Sequence, residues 1–96
     1  MNPNMIKKLK KMQDEMMREQ ERLEAKEYFG KASGVMVIMQ GTRQVIDVQI
    51  DREMLDEVEM LQDAILLAVN DALKQIDDEQ KETMSQFTGG MGGFGF

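Results

Sequence analysis

The sequence predicts a small α+β domain in which the elements follow one another as α-β-β-β-α and the strands form a three-stranded antiparallel sheet. Three patterns indicate this: a helical apolar stripe over residues 4–24, strand-like runs over residues 25–50, and a long helical pattern over residues 57–87. The 96 residues suffice for one thin core, because such a chain buries only about two thirds of its unfolded surface. We therefore expect a single domain over residues 1–88 and a flexible Gly-rich tail over residues 89–96.

The first helix is predicted over residues 4–24, with Asn4 as its N-cap. Its apolar residues form a narrow heptad seam, which is interrupted by Glu19. The residues of this seam are Met5, Leu9, Met12, Met16 and Leu23. So narrow a stripe is typical of a helix that lies along one partner, or that projects from the body, rather than of a helix sunk in a core.

The sheet is predicted from three runs. Lys26–Gly30 contains the aromatic residues of a strand, and Ser33-Gly34 is typical of a turn. Val35–Met39 is apolar throughout, as in a strand covered on both faces. Val45–Ile50 alternates, which predicts the second strand of a β-hairpin. The apolar residues expected on one face of this last strand are Ile46, Val48 and Ile50.

The long helix has the strongest pattern, because it contains neither Gly nor Pro and its apolar residues recur at i, i+3, i+4 and i+7. The residues of this face are Leu61, Ala64, Ile65, Ala68, Val69, Ala72, Leu73 and Ile76. One helix covers only one face of a three-stranded sheet, so the other face and the strand edges remain open. A twofold homodimer that joins these surfaces is the expected solution. The alternative is a monomer whose first helix folds back over the open sheet face.

The composition argues against an enzyme. The chain has no Cys and no His, so it lacks thiolate metal ligands, disulfides and the commonest general base. The acids Asp77, Asp78 and Glu79 diverge on a helix instead of converging on a cation, which favours a solvated face over a metal site. We expect no catalytic, cofactor-binding or metal-binding residue and no small-molecule substrate. No apolar signal run begins the chain and no stretch suffices to span a bilayer, which predicts a cytoplasmic protein without a membrane partner.

Charge is distributed unevenly along the chain. The net charge is -6, yet residues 1–13 carry four lysines and no acid, whereas residues 51–87 carry eleven acids and three basic residues. On the first helix, four basic residues fall within about 60° of one another on the side opposite the seam. They are Lys7, Lys11, Arg18 and Arg22. From this pattern alone the favoured interpretation is a solvated face, balanced by neighbouring acids. In the long helix, Lys74 is expected to pair with Asp78, and Asp77 with Lys81.

Seven short segments resemble the YbaB/EbfC family of bacterial nucleoid-associated proteins, in order along nearly the whole chain. These segments are Lys11–Met16, Gly34–Val37, Ile50–Asp51 with Met54–Leu55, Glu59–Asp63, Asn70–Leu73 and Thr88–Met91. The most specific feature is the distance from Glu59–Asp63 through Asn70–Leu73 to the Gly-rich tail. The resemblance implies a tweezer-like homodimer, in which sheets and C-terminal helices form the body and the N-terminal helices project as arms.

The resemblance also implies binding to double-stranded DNA, largely without sequence preference, and a role in nucleoid organisation and gene regulation. It favours a second interpretation of the basic helix face, in which paired arms contact phosphates and release counterions. The expected DNA-binding residues are Lys7, Lys8, Lys10, Lys11, Arg18 and Arg22. Further candidates are Arg43, Lys26 and Lys31. An equally good explanation for these three residues is that they keep exposed strand ends soluble.

Two expectations about partners and location follow. The protein is expected in the cytoplasm, associated with the nucleoid, with DNA and a second copy of itself as partners. The alternative function is a homodimeric protein-interaction adaptor that binds a partner helix through the Met-rich seam of the first helix.

Overall fold

The structure, a computed structural model, describes residues 2–88. Its elements in chain order are α1 (Pro3–Ala25), β1 (Glu27–Ala32), β2 (Val35–Gln40), β3 (Val45–Ile50), a short 3-10 helix (Arg52–Met54) and α2 (Val58–Thr88). The strands form one antiparallel sheet in the order β1-β2-β3. The predicted α-β-β-β-α fold is confirmed. The expected tail, residues 89–96, lies outside the described residues.

The N-cap of α1 is Asn2, so the prediction of Asn4 is wrong. The Asn2 side chain accepts a hydrogen bond of 2.9 Å from the backbone N–H of Asn4. Pro3 occupies the first helical position, where its fixed φ suits the helix and its missing N–H would have no partner in any case. The N-cap therefore lies two residues earlier than predicted, and the helix begins at Pro3.

α2 packs against the face of the sheet that carries Tyr28, Val35, Val37 and Met39, all of which are buried. The helix residues buried against this face are Ala64, Ala68, Ala72 and Ile76. Three of these four are alanines, so the helix backbone comes close to the sheet. At Gly30 of β1, an added Cβ would lie 1.9 Å from the carbonyl oxygen of Ala68.

The broad apolar face predicted for α2 divides into two parts. Its alanines and Ile76 are buried under the sheet, whereas its larger flanking residues are only half-buried. These half-buried residues are Leu61, Ile65, Val69 and Leu73. Within one chain, the larger apolar side chains of α2 are thus only partly covered.

β3 is one of the two edge strands of the sheet, and all six of its residues are exposed. Asp47 pairs with Ile38 and Val45 pairs with Met39, so Ile46 is the extra residue of a β-bulge. The predicted common face of Ile46, Val48 and Ile50 stays a prediction, because all three side chains are exposed. The sequence alternates there, but the bulge shifts the register by one residue.

α1 projects from the rest of the fold. The Cα radius of gyration is 19.0 Å, whereas a compact domain of this size has about 13 Å. Residues 3–15 are all exposed, and Leu23 is the buried residue of the helix. The alternative of a first helix folded back over the sheet is therefore wrong. Among residues 2–88, no helix has both the length and the apolarity needed to cross a membrane.

Candidate nucleic-acid interface

The outer half of α1 presents a cluster of exposed lysines, which we call the arm lysines. They are Lys7, Lys8, Lys10 and Lys11. Within residues 2–88, none of them takes part in an ion pair. The nearest acids along the helix, Asp14 and Glu15, are also exposed and form no ion pair among the described residues. A phosphate approaching these ammonium groups has no protein carboxylate to displace.

Arg18 lies where α1 meets the end of α2. Together with Glu15 and Glu19 it lines a shallow surface cavity, whose other side is formed by Gln86 and Phe87. The side chain is exposed and, within residues 2–88, forms no ion pair. It is therefore open to solvent but closer to the body than the arm lysines are.

Arg22 has a different environment. Its Nη2 lies 2.8 Å from Oε2 of Glu19, and its Nη1 lies 3.8 Å from Oε1 of Glu79. The hydrogen bond that Arg22 donates to the Glu19 carboxylate raises the pKa of this guanidinium. Arg22 also lines a shallow cavity with Asp78 and Glu82. Its charge is balanced by carboxylates of the protein itself, which separates it from the arm lysines.

The base of the arm is held by Glu79 of α2. Lys26 Nζ, one residue past the end of α1, donates hydrogen bonds of 2.8 Å to both carboxylate oxygens of Glu79. Nζ also lies 5.2 Å from the ring centroid of Tyr28, within the range of a cation–π contact. The Lys26 ammonium holds the pKa of Glu79 below its usual value. Lys26 is therefore engaged in fixing the arm.

Tyr28 lies beneath this ion pair. Its hydroxyl is buried and has no hydrogen-bond partner within residues 2–88. Burial is the largest cause that raises the pKa of Tyr28 to about 12, and the interaction of its hydroxyl with the nearby Glu79 carboxylate adds to this shift. The phenol remains neutral at physiological pH and serves as a packing group under the base of the arm.

The remaining candidate cations differ among themselves. Arg43, at the β2–β3 turn, forms an ion pair with Asp77 of α2, whereas Lys31 is exposed and forms no ion pair within residues 2–88. The predicted pair of Lys74 with Asp78 is confirmed at 2.7 Å. Asp77 pairs with Arg43 instead of with Lys81 as predicted, because the hairpin brings the arginine across to α2.

Three acids of α2, Asp77, Asp78 and Glu79, are thus used in ion pairs with basic residues. Within residues 2–88, no group of three or more acidic side chains is arranged to hold a metal ion. The anchoring role of Glu79 was not predicted. The residue was expected on a solvated helix face, because nothing in the local pattern indicates a partner 53 positions earlier in the chain.

Comparison with known proteins gives a consistent result. The sequence model of the YbaB/EbfC DNA-binding family matches residues 1–91. A nucleoid-associated protein of Enterococcus faecalis is 42% identical over 94 residues, which cover 94% of this chain and 90% of the relative. A nucleoid-associated protein of Oceanobacillus iheyensis is 45% identical over 92 residues, which cover 92% of this chain and 88% of the relative.

A solved structure has the same fold. The crystal structure of an uncharacterized protein from Helicobacter pylori matches with a TM-score of 0.73 at 24% sequence identity. The match covers 90% of this chain and 96% of that chain. With the family match over residues 1–91 and relatives above 40% identity, we conclude that the chain belongs to the YbaB/EbfC DNA-binding family.

Proposed function

We propose that this protein binds double-stranded DNA, largely without sequence preference, through phosphate contacts from paired α1 arms. The observation that carries the proposal is the exposure of Lys7, Lys8, Lys10 and Lys11 on the projecting helix, free of ion pairs among the described residues. The family's description supports DNA as the polyanion that these lysines meet.

The chemistry of the arm suits phosphate contact. Lysine is a compact, strongly hydrated point charge, and contacts to phosphates position a protein on the duplex without reading its sequence. Each ammonium that neutralises a phosphate releases condensed counterions, which makes binding sensitive to salt. With about three phosphates neutralised by each of two arms, the logarithm of the binding constant falls against the logarithm of salt concentration with a slope near -5.

The acids of α2 oppose this binding only weakly, because they lie far from the arm lysines. Arg22 lies beside the acids of α2. Lys11 is eleven residues before it, which is about 16 Å along the helix axis. This exceeds the Debye length of about 10 Å at 0.1 M ionic strength. The arm lysines therefore interact with a duplex more strongly than the carboxylates of the body repel it.

We propose further that the protein acts as a homodimer. β3 is exposed over its whole length, and its outer edge has no paired strand among the described residues. α2 also exposes large apolar side chains, among them Leu66 at 60% and Leu67 at 58%. Exposed strand edges and apolar surfaces of this kind are typical of an interface, and a twofold dimer covers these surfaces on both copies at once.

Two experiments test these proposals. Titration of several unrelated duplexes over a range of salt concentrations should give similar affinities and a slope near -5. Absence of binding, or affinity independent of salt, would contradict the DNA proposal. Sedimentation equilibrium at micromolar concentration should give at least twice the chain mass of 11.0 kDa. A monomer mass would rule out the homodimer.

The role that follows is non-catalytic, in organising the nucleoid and regulating genes in the cytoplasm. The names of the relatives, which are nucleoid-associated proteins of bacteria, support this location. The family that matches is described by DNA binding rather than by catalysis.

A second candidate function, the protein-interaction adaptor, is favoured by one observation. Met5, Leu9 and Met12 of the α1 seam are 56%, 49% and 40% exposed. Methionine-rich helical surfaces of this kind accept partner helices. Replacing Met12 and Met16 with Gln should abolish such an interaction and leave DNA binding unchanged. Loss of DNA binding would contradict the assumption that the partner helix and the DNA use separate surfaces.

A further inference from the structure

The seam of α1 has an outer part that the fold of one chain leaves open. We call this part the outer seam, and its residues are Met5, Leu9, Met12 and Met16. The first three are exposed and Met16 is half-buried. Beyond them, Glu19 is held in an ion pair with Arg22, and Leu23 is buried in the chain's own body. A partner helix therefore has four apolar residues to meet.

The spacing of the outer seam is symmetric. Its residues are separated by four, three and four positions, so the pattern is the same in both chain directions. Two copies laid antiparallel match every residue: Met5 lies opposite Met16 of the other copy, and Leu9 lies opposite Met12. We propose that the outer seam is covered by the outer seam of a second copy of this chain, running antiparallel.

The charges beside the seam fit this register. Lys8 and Glu15 are seven residues apart and lie on the same flank of the outer seam, on the helix face where long side chains reach across to a partner helix. In the antiparallel register, Lys8 of each copy lies beside Glu15 of the other. Because the arrangement is twofold symmetric, this attractive pair forms twice.

The two halves of the arm also select the antiparallel direction. The first half of α1 carries four lysines and no acid, whereas residues 14–25 carry five acids and two arginines. Antiparallel arms place the basic half of one copy against the acidic half of the other. Parallel arms would place the lysines side by side, which costs energy in helix pairs. A second copy in the antiparallel direction is thus the occupant with complementary charge.

Arm pairing and phosphate contact use different sides of the helix. Lys7, Lys11 and Arg18 lie opposite the seam and stay outside the pair, whereas Lys8 is shared. The pairing itself does not depend on DNA binding. Only its consequence rests on the proposed function: two paired arms present their basic rows in opposite directions, which suits contact with two duplexes.

Cysteine cross-linking tests the register directly, because the natural chain has no Cys. We would mix the full-length variants Leu9→Cys and Met12→Cys, oxidise them mildly, and identify the disulfide-linked species by mass. Antiparallel pairing predicts that the mixed cross-link forms at least several-fold faster than either cross-link of a variant with itself. Rapid self-linking of Leu9→Cys would indicate parallel arms and overturn the proposal. Absence of all three products would show that the outer seams of two copies do not pair, and would also overturn it.

Charge exchange gives an independent test at exposed positions, where folding is little affected. Lys8→Glu alone and Glu15→Lys alone each turn two attractive pairs into repulsive ones, so arm association should weaken roughly tenfold. The double variant Lys8→Glu/Glu15→Lys should restore it, and so should mixing the two single variants. Additive weakening in the double variant would contradict the pairing. Because the readout is association of arms without DNA, it is separate from failure of the DNA proposal.

Discussion

Lys26 Nζ lies 2.8 Å from both carboxylate oxygens of Glu79, so the end of the arm is held to α2 by residues 53 positions apart. The same carboxylate lies 3.8 Å from Arg22. The basic residues of the arm therefore have two different uses. Those at its base neutralise the acids of α2 and fix the helix, and those on its outer half remain open to a polyanion.

Loss of the Glu79 carboxylate should loosen the base of the arm. In Glu79→Gln the ion pair with Lys26 and the longer one with Arg22 are both lost. Because the Lys26 and Glu79 side chains are partly exposed, we expect a decrease in the free energy of unfolding of only about 0.5–1 kcal/mol. Hydrogen exchange of the amides near residue 26 should become faster. The control Lys74→Gln, which removes a more exposed pair with Asp78, should leave both measurements nearly unchanged.

The same ion pair should give a pH dependence in acid. Lys26 lowers the pKa of Glu79 in the folded chain below the usual 4.5, so the stabilisation is present above that value and is lost as the pH falls through the lowered pKa. Urea denaturation of the natural chain and Glu79→Gln from pH 6 to pH 3 should show a difference that disappears towards the acid end. A constant difference over this range would contradict the assignment.

Arg22 and Lys11 should differ in their effect on DNA binding. Arg22 is neutralised by Glu19 and Glu79, whereas Lys11 has no ion pair among the described residues. Lys11→Gln should therefore lower DNA affinity by several-fold at low salt, and Arg22→Gln should lower it less. Fluorescence anisotropy with one labelled duplex measures both. An equal or larger loss for Arg22→Gln would place the interface nearer the body than we propose.

Gly30 should not tolerate a side chain. An added Cβ would lie 1.9 Å from the Ala68 carbonyl oxygen and 2.8 Å from the Ala72 backbone nitrogen, so β1 and α2 would have to separate. We expect Gly30→Ala to lower the free energy of unfolding by about 3 kcal/mol or more. Urea denaturation would show this. The exposed neighbour provides the control, because Lys31→Ala should change stability by less than about 0.5 kcal/mol.

Much of the fold follows from local pattern. The alternation along the strands and the i, i+4 series of α2 predicted the sheet and the long helix, because burial on one face imposes a period on the sequence. The cap of α1 did not follow, since Asn2 and Asn4 are equally good capping residues and Pro3 decides between them. The bulge at Ile46 did not follow either, because pairing register is a property of two strands together.

The candidate site was predictable only in part. Helical spacing identified Lys7 and Lys11, and the absence of acids from residues 1–13 identified all four arm lysines. The engagement of Arg22 with Glu79, and of Arg43 with Asp77, depends on how α2 lies across the sheet. These contacts join residues far apart in the chain, and one helical pattern carries no information about them.

We propose that DNA binding depends on where the positive charge lies, and two charge-matched variants test this proposal most directly. One replaces the arm lysines, Lys7, Lys8, Lys10 and Lys11, with Gln. The other replaces four basic residues of the body, Lys31, Arg52, Lys74 and Lys81, with Gln, so that both lose the same net charge.

Salt-dependent titration of one duplex against both variants is the decisive measurement. The arm variant should lose most of its affinity at low salt, and its slope should rise from near -5 towards zero. The body variant should retain an affinity and a slope close to those of the natural chain. Equal losses in the two variants, or an arm variant that binds as before, would contradict the proposed role of the arms.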